Sequence, residues 1–165
     1  MIVDRVVVGS LEENCYILSK EDKVVIIDPG DEANKIIQKV GDKTVVGILI
    51  THHHFDHVGA LEELENYYHV KESKEIPGWD FEVLNTPGHT SDSVCYYFAK
   101  DKMLFAGDFL FLDSIGRTDL AGGSDYEMKN SLEFISQFPD DIKVFPGHGD
   151  ATTLGHEKNN FKYYY

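Results

Sequence analysis

Thr51-His52-His53-His54-Phe55-Asp56-His57-Val58-Gly59 puts five side chains able to ligate a metal ion into nine residues. The stretch follows an apolar run, Val45 to Ile50, and precedes a helical pattern, His57 to Tyr68. In an extended segment alternate residues share a face, so His52 and His54 point one way and His53 the other. Asp56 and His57 then stand at the entrance of a helix. Imidazoles and a carboxylate at this density and spacing are the chemistry of a divalent metal site.

Three further candidates sit just past apolar runs. His89 follows Pro87-Gly88, Asp108 follows Gly107, and His148 follows Pro146-Gly147. A glycine before a ligand lets the backbone come close to an ion and take unusual angles. The full set is His52, His54, Asp56, His57, His89, Asp108 and His148. Seven donors are too many for one tetrahedral ion and suit two ions sharing a carboxylate. The natural partition gives His52, His54 and His89 to one ion and Asp56, His57 and His148 to the other, with Asp108 between them. Two divalent ions are expected, zinc first, with iron or manganese equally compatible with nitrogen and oxygen donors. Asp56 and Asp108 are the expected catalytic carboxylates: Asp108 joins the ions, and Asp56 is the side chain available as a proton donor. His53, His69 and His156 are read as non-ligands. Asp28, at the end of a strand in Asp28-Pro29-Gly30, is the candidate for orienting a ligating histidine from behind, with a turn or cap role as the alternative. Arg117 is the candidate for holding an anionic substrate group in bidentate fashion, with a surface ion pair as the alternative.

The elements that must position these residues are legible from periodicity. Strands are expected at Ile2 to Val8, Asn14 to Ser19, Val24 to Asp28 and Val45 to Ile50, with a helix from Glu32 to Val40 and another from His57 to Tyr68. Tyr67 to Trp79 reads as a connection within one domain spanning residues 1–165. Strands follow at Phe81 to Leu84, Ser93 to Ala99 and Met103 to Ala106, then a glycine-punctuated loop from Phe109 to Gly123. A helix from Tyr126 to Phe138, a strand from Ile142 to Phe145 and one short helix after Thr152 complete the chain. The order predicts an α/β (α+β) protein, two sheets with helices outside both, a four-layer αββα sandwich. The ligand candidates recur at strand ends, where open sheets gather their sites.

Composition bounds the function. The 165 residues are 42% hydrophobic and 27% charged, values of an ordinary globule. The formal charge of −14 argues against nucleic acid, whose phosphates need clustered Lys and Arg. No apolar run approaches the roughly 20 residues of a membrane span. The N-terminus has no signal-peptide pattern, so a cytoplasmic location is expected. Cys15 and Cys95 fall in apolar runs and read as buried free thiols.

These motifs together resemble the metallo-β-lactamase superfamily: the histidine cluster, Thr86-Pro87-Gly88-His89-Thr90, Gly107-Asp108 and Pro146-Gly147-His148-Gly149, in family order over nearly the whole chain. The resemblance implies the αββα fold and a two-metal hydrolase site. Asn14-Cys15-Tyr16, Ile115 to Leu120 and Thr152 to Lys158 resemble the short glyoxalase II (hydroxyacylglutathione hydrolase) group. The resemblance departs in three places. The chain ends soon after His148, without the C-terminal helical domain that helps full-length glyoxalase II bind glutathione. Gly116-Arg117-Thr118 replaces a Gly-Lys/Arg-aromatic loop, and Tyr67 to Trp79 is short for the family. Neither cysteine fits a second-metal ligand position, which argues against a true β-lactamase. Two adjacent cations yield hydroxide from a bridging water near neutral pH, and a thiolate leaves a thioester without an obligatory acid. The expected activity is therefore hydrolysis of a small acyl thioester or activated ester, with no nucleic-acid, membrane or obligate protein partner. The alternative is a persulfide dioxygenase, which the sequence also resembles, with one iron on His52, His89 and Asp108.

Overall fold

The computed structural model describes residues Met1–Tyr165 and divides the chain into two compact units, Met1–Trp79 and Asp80–Tyr165. The connection at Tyr67 to Trp79 thus closes the first unit.

The first unit holds a four-stranded sheet: β1 (Ile2–Val8), β2 (Glu13–Lys20), β3 (Lys23–Ile27) and β4 (Thr44–Leu49), in that spatial order. β1, β2 and β3 form an antiparallel meander, and β4 runs parallel to β3 after the crossover helix α1 (Ala33–Val40). Val6, Cys15, Ile17, Val24, Ile26 and Ile48 share one core cluster with Ala33 and Ile36 of α1. The residues between them, Tyr16, Leu18, Val25, Ile27 and Leu49, are buried as well. Burial on both faces is why these strands read as nearly continuous apolar runs.

The expected helix from His57 to Tyr68 is two helices, α2 (Phe55–Val58) and α3 (Leu61–Tyr68). The break has a tertiary cause. A Cβ added at Gly59 would lie 2.2 Å from the carbonyl oxygen of Gly30, and the N–H of Ala60 donates to the carbonyl of Pro29 at 3.0 Å. The turn after β3 therefore diverts the chain where a glycine allows close contact.

The second unit carries β5 (Glu82–Asn85), β6 (Val94–Phe98), β7 (Met103–Gly107), β10 (Lys143–Pro146) and β11 (Thr152–Thr153) in one sheet, ordered β11-β10-β7-β6-β5. β7 and β10 are parallel and the other neighbours antiparallel. A 3₁₀ turn, Ala99–Asp101, links β6 to β7. Met128, Leu132 and Ile135 of α4 (Asp125–Ile135) and Leu154 of α5 (Leu154–Phe161) join Cys95, Leu104 and Val144 in the second core cluster. Ser124 caps α4 by accepting from the N–H of Glu127, a Ser-x-x-Glu start. The loop expected from Phe109 to Gly123 contains a small hairpin, β8 (Leu110–Phe111) and β9 (Ser114–Ile115). Two-residue strands are too short for periodicity to reveal. No helix is long and apolar enough to cross a membrane.

Candidate metal centre

In the first unit the end of β4 delivers His52 and His54, and α2 delivers Asp56 and His57. His52 and His57 are fully buried, while His53 is exposed and faces Glu72, its Nε2 3.3 Å from Oε2. The expected division of the three histidines between two sides is therefore observed. The rings of His52 and His54 meet edge to face with centroids 4.8 Å apart, and those of His52 and His57 lie 4.2 Å apart. Nε2 of His57 is 3.7 Å from Oδ2 of Asp56.

Asp28 accepts three hydrogen bonds at the base of this group. Its Oδ1 accepts from the N–H of Thr51 at 2.7 Å, and its Oδ2 accepts from the Thr51 hydroxyl at 2.6 Å and from Nδ1 of His57 at 2.9 Å. Oγ1 of Thr51 also lies 3.1 Å from Nδ1 of His52. The hydroxyl has one proton and gives it to Asp28, so Nδ1 of His52 must be the donor in that contact. Both histidines then carry their proton on Nδ1 and present a lone pair at Nε2, the state a metal ligand requires. One carboxylate, acting directly and through Thr51, fixes two imidazoles. Thr51 lay inside the motif, but its role depends on a partner 23 residues away and has no local signature.

In the second unit the backbone sets two candidate ligands level with one another. Pro146 pairs with Gly107 in the parallel β7–β10 ladder, and the N–H of Gly147 donates to the carbonyl of Gly107 at 2.8 Å. Asp108 and His148, just beyond these residues, emerge side by side. Gly107 has φ 50° and Gly88, before His89, has φ 145°, angles that side chains resist. Oδ2 of Asp108 lies 3.6 Å from Nε2 of His89 and 3.6 Å from Nε2 of His148. Nδ1 of His89 donates to the carbonyl of Arg117 at 2.8 Å, which again leaves Nε2 as the lone-pair nitrogen.

These separations exceed a hydrogen bond and approximate the edge of a coordination shell with bonds of about 2.0–2.2 Å. The donors in both units are imidazole nitrogens and carboxylate oxygens, and hydrogen bonds at Nδ1 fix the tautomer of His52, His57 and His89. The residues present fit divalent metal ions.

An open cleft of about 460 Å³ lies over the second group, lined by His89, Asp108, Phe111, Ser114, Gly116, Arg117, His148 and Gly149. Phe111 was not singled out by sequence, since its hairpin was hidden in the loop. Arg117 is engaged with Asp119 through Nε at 2.6 Å and Nη2 at 2.7 Å, an exposed bidentate pair that holds the Asp119 carboxyl down at about 2. The ion-pair alternative for Arg117 is thus present, at the lip of the cleft. His69 ends α3 in a left-handed conformation, and His156 pairs with Asp113 at 2.7 Å. Both Cys15 and Cys95 are buried and free, and burial pushes the Cys15 thiol up.

The sequence profile of the metallo-β-lactamase superfamily matches residues 8–75 and 69–148. The two pieces overlap within the short segment at Tyr67 to Trp79. A protein of Aquifex aeolicus is 36% identical over 199 positions, covering 96% of this chain and 94% of its own. The hydroxyacylglutathione hydrolase GloC of Haemophilus influenzae is 31% identical over 205 positions, covering 97% and 96%. Both alignments are longer than the 165 residues of this chain, so both relatives carry segments it lacks. Among solved structures, the BLEG-1 B3 metallo-β-lactamase superposes with a TM-score of 0.92 at 30% identity, covering 99% of each chain. A di-iron-bound form of TTHA1623 gives 0.85 at 31%, covering 96% and 98%. ETHE1 of Myxococcus xanthus gives 0.88 at 27%, covering 98% and 83%.

Proposed function

Because the chain belongs to the metallo-β-lactamase superfamily, has its fold, and so belongs with metal-dependent hydrolases, we propose that it is a dinuclear metal-dependent hydrolase of small acyl thioesters or activated esters. The observation that carries this reading is Asp108, with one carboxylate oxygen 3.6 Å from Nε2 of His89 and 3.6 Å from Nε2 of His148. We assign His52, His54 and His89 to one ion, Asp56, His57 and His148 to the other, and Asp108 to both. Zinc is the first choice, and the di-iron-bound relative keeps iron in play. The bound ions would supply an activated water at neutral pH and polarise the acyl carbonyl.

The chain's own residues do the rest. Asp28 and Thr51 hold two imidazoles in the tautomer that offers Nε2. The carbonyl of Arg117 does the same for His89. Asp56, partly exposed beside His57, is placed to carry a proton to or from the reacting water. Asp119 holds the Arg117 guanidinium at the cleft, from where it can pair with an anionic part of the substrate. The thioester class is supported by the GloC relative and by a thiolate leaving group's lack of need for a dedicated acid, where an amide would depend on Asp56 or a metal-bound water. The substrate is a small molecule rather than a nucleic acid, in keeping with the net charge of −14.

The test is metal analysis joined to a panel of thioesters, lactones and a β-lactam. Two ions per chain, with thioester turnover abolished in His54→Ala and Asp108→Asn together with loss of bound metal, support the reading. Full turnover by metal-free protein overturns it. A second reading, a mononuclear iron persulfide dioxygenase on His52, His89 and Asp108, is favoured by the ETHE1 likeness and by Gly116-Arg117-Thr118-Asp119. One iron per chain with oxygen uptake on glutathione persulfide would select it.

A further inference from the structure

Glu13 opens β2 and is 1% exposed, although glutamate is among the residues least often buried. It shares strand parity with Cys15 and Ile17, which lie in the first core cluster. An apolar sheet face therefore ends in a carboxylate. That carboxylate is aimed at the back of a candidate metal ligand: Oε1 of Glu13 is 3.7 Å from Nδ1 of His57, on the ring nitrogen opposite Nε2. The backbone makes room for it. A Cβ added at Gly30 would lie 2.6 Å from Oε2 of Glu13 and 1.8 Å from the carbonyl oxygen of Asp56. Only a glycine at the turn after β3 lets this carboxylate sit beside α2.

Asp28 already accepts the Nδ1 proton of His57 at 2.9 Å. At 3.7 Å, Glu13 is too far to accept it, which leaves its charge as the means of acting on His57. A negative charge behind an imidazole makes the opposite nitrogen a better donor to a cation, and a buried charge has little water to screen it. We propose that Glu13 is a positioning residue of the metal site, a second carboxylate behind His57 that strengthens its hold on a divalent cation. The inference rests on the proposed function only in taking His57 as a ligand.

The test compares wild type with Glu13→Gln, which keeps the shape and removes the charge, using zinc alone as the probe. Zinc affinity is read by competition with a chromogenic chelator, and thermal unfolding is followed with and without zinc. Glu13→Gln is expected to bind the weaker zinc ion about tenfold less tightly, in the range for groups that orient ligands. The rise in Tm on adding zinc should shrink accordingly, because that rise follows binding affinity. A carboxylate that merely supports the fold would lower both Tm values together and leave the zinc-induced rise intact, which would overturn the proposal. Zinc binding within twofold of wild type would overturn it too, leaving the hydrolase reading untouched. Wild-type protein that takes up no zinc, iron or manganese would instead bring down the metal reading, and this inference with it. If Glu13→Gln fails to fold, Glu13→Met, similar in size and uncharged, makes the same comparison.

Discussion

Oδ2 of Asp28 accepts the Nδ1 proton of His57 at 2.9 Å with both side chains buried, so the carboxylate at the end of one strand sets the chemistry of a histidine 29 residues later. The same carboxylate takes two more donors, the backbone N–H and the hydroxyl of Thr51. Every donor there needs an acceptor, and only a carboxylate offers enough of them on both oxygens.

Asp28→Asn isolates that requirement. Asp28 has φ 50°, a left-handed angle that asparagine also tolerates, so the backbone need not change. Whichever way the new amide turns, its NH₂ faces an N–H or O–H. A buried donor left without an acceptor costs about 1–3 kcal/mol. We expect metal-free Asp28→Asn to unfold at lower temperature and its zinc affinity to fall about 10- to 100-fold. Calorimetry and chelator competition on one preparation check both. Wild-type affinity in the variant would show that Asp28 does not control the tautomer.

Gly116→Ala tests how closely the second donor group is packed. An added Cβ would lie 1.9 Å from the carbonyl oxygen of Asp108 and 3.0 Å from Cβ of His89. The first contact is with backbone, which cannot swing aside as a side chain could. We expect a stability loss of about 1–3 kcal/mol, typical of overpacking. Metal content should fall as well, because both contacts are to residues proposed as ligands. Metal analysis beside urea unfolding reads the two effects separately.

How much of this was legible without coordinates follows from the range of each interaction. The inner strands were readable because β3 and β6 are buried on both faces, which turns Val24 to Ile27 and Val94 to Phe98 into unbroken apolar runs. The candidate ligands stood out because the histidine cluster lies just past a strand and His89, Asp108 and His148 each follow a glycine. The break between α2 and α3 was not, since Gly59 is an unremarkable helix residue until Gly30 packs against it. Glu13 and Thr51 were given no role for a similar reason: their partners lie 44 and 23 residues away. The hairpin carrying Phe111 is too short to leave a period.

The surface pair of His156 and Asp113 predicts a modest pH dependence. Hydrogen bonding to Asp113 raises the His156 pKa above its ordinary 6.5, and the same contact holds the Asp113 carboxyl below its usual range. A raised histidine pKa contributes stability below pH 6.5 and loses it as pH rises through the folded value. A lowered carboxyl pKa contributes above its ordinary 3.8 and loses it as pH falls through the folded value. The pair therefore contributes most between about pH 4 and 6.5. NMR titration should place His156 above 6.5 in wild type and return it toward 6.5 in Asp113→Asn. The Tm difference between wild type and His156→Gln should vanish at high pH, and a difference that grows there would contradict the assignment.

Arg117 can serve a substrate anion only by sharing or leaving Asp119, which now takes its guanidinium at 2.6 and 2.7 Å. Both side chains are well exposed, so exchange with water and ligands carries a small penalty. Arg117→Ala should leave Tm almost unchanged while raising KM about tenfold for thioesters bearing a carboxylate, with kcat and neutral substrates little affected. Asp119→Asn should do the opposite, lowering KM for the anionic substrates by freeing the guanidinium. Arg117→Lys should recover only part of the loss, because an ammonium cannot make the two parallel bonds. Equal KM changes for charged and neutral thioesters would mean that the loop shapes the cleft and does not read charge.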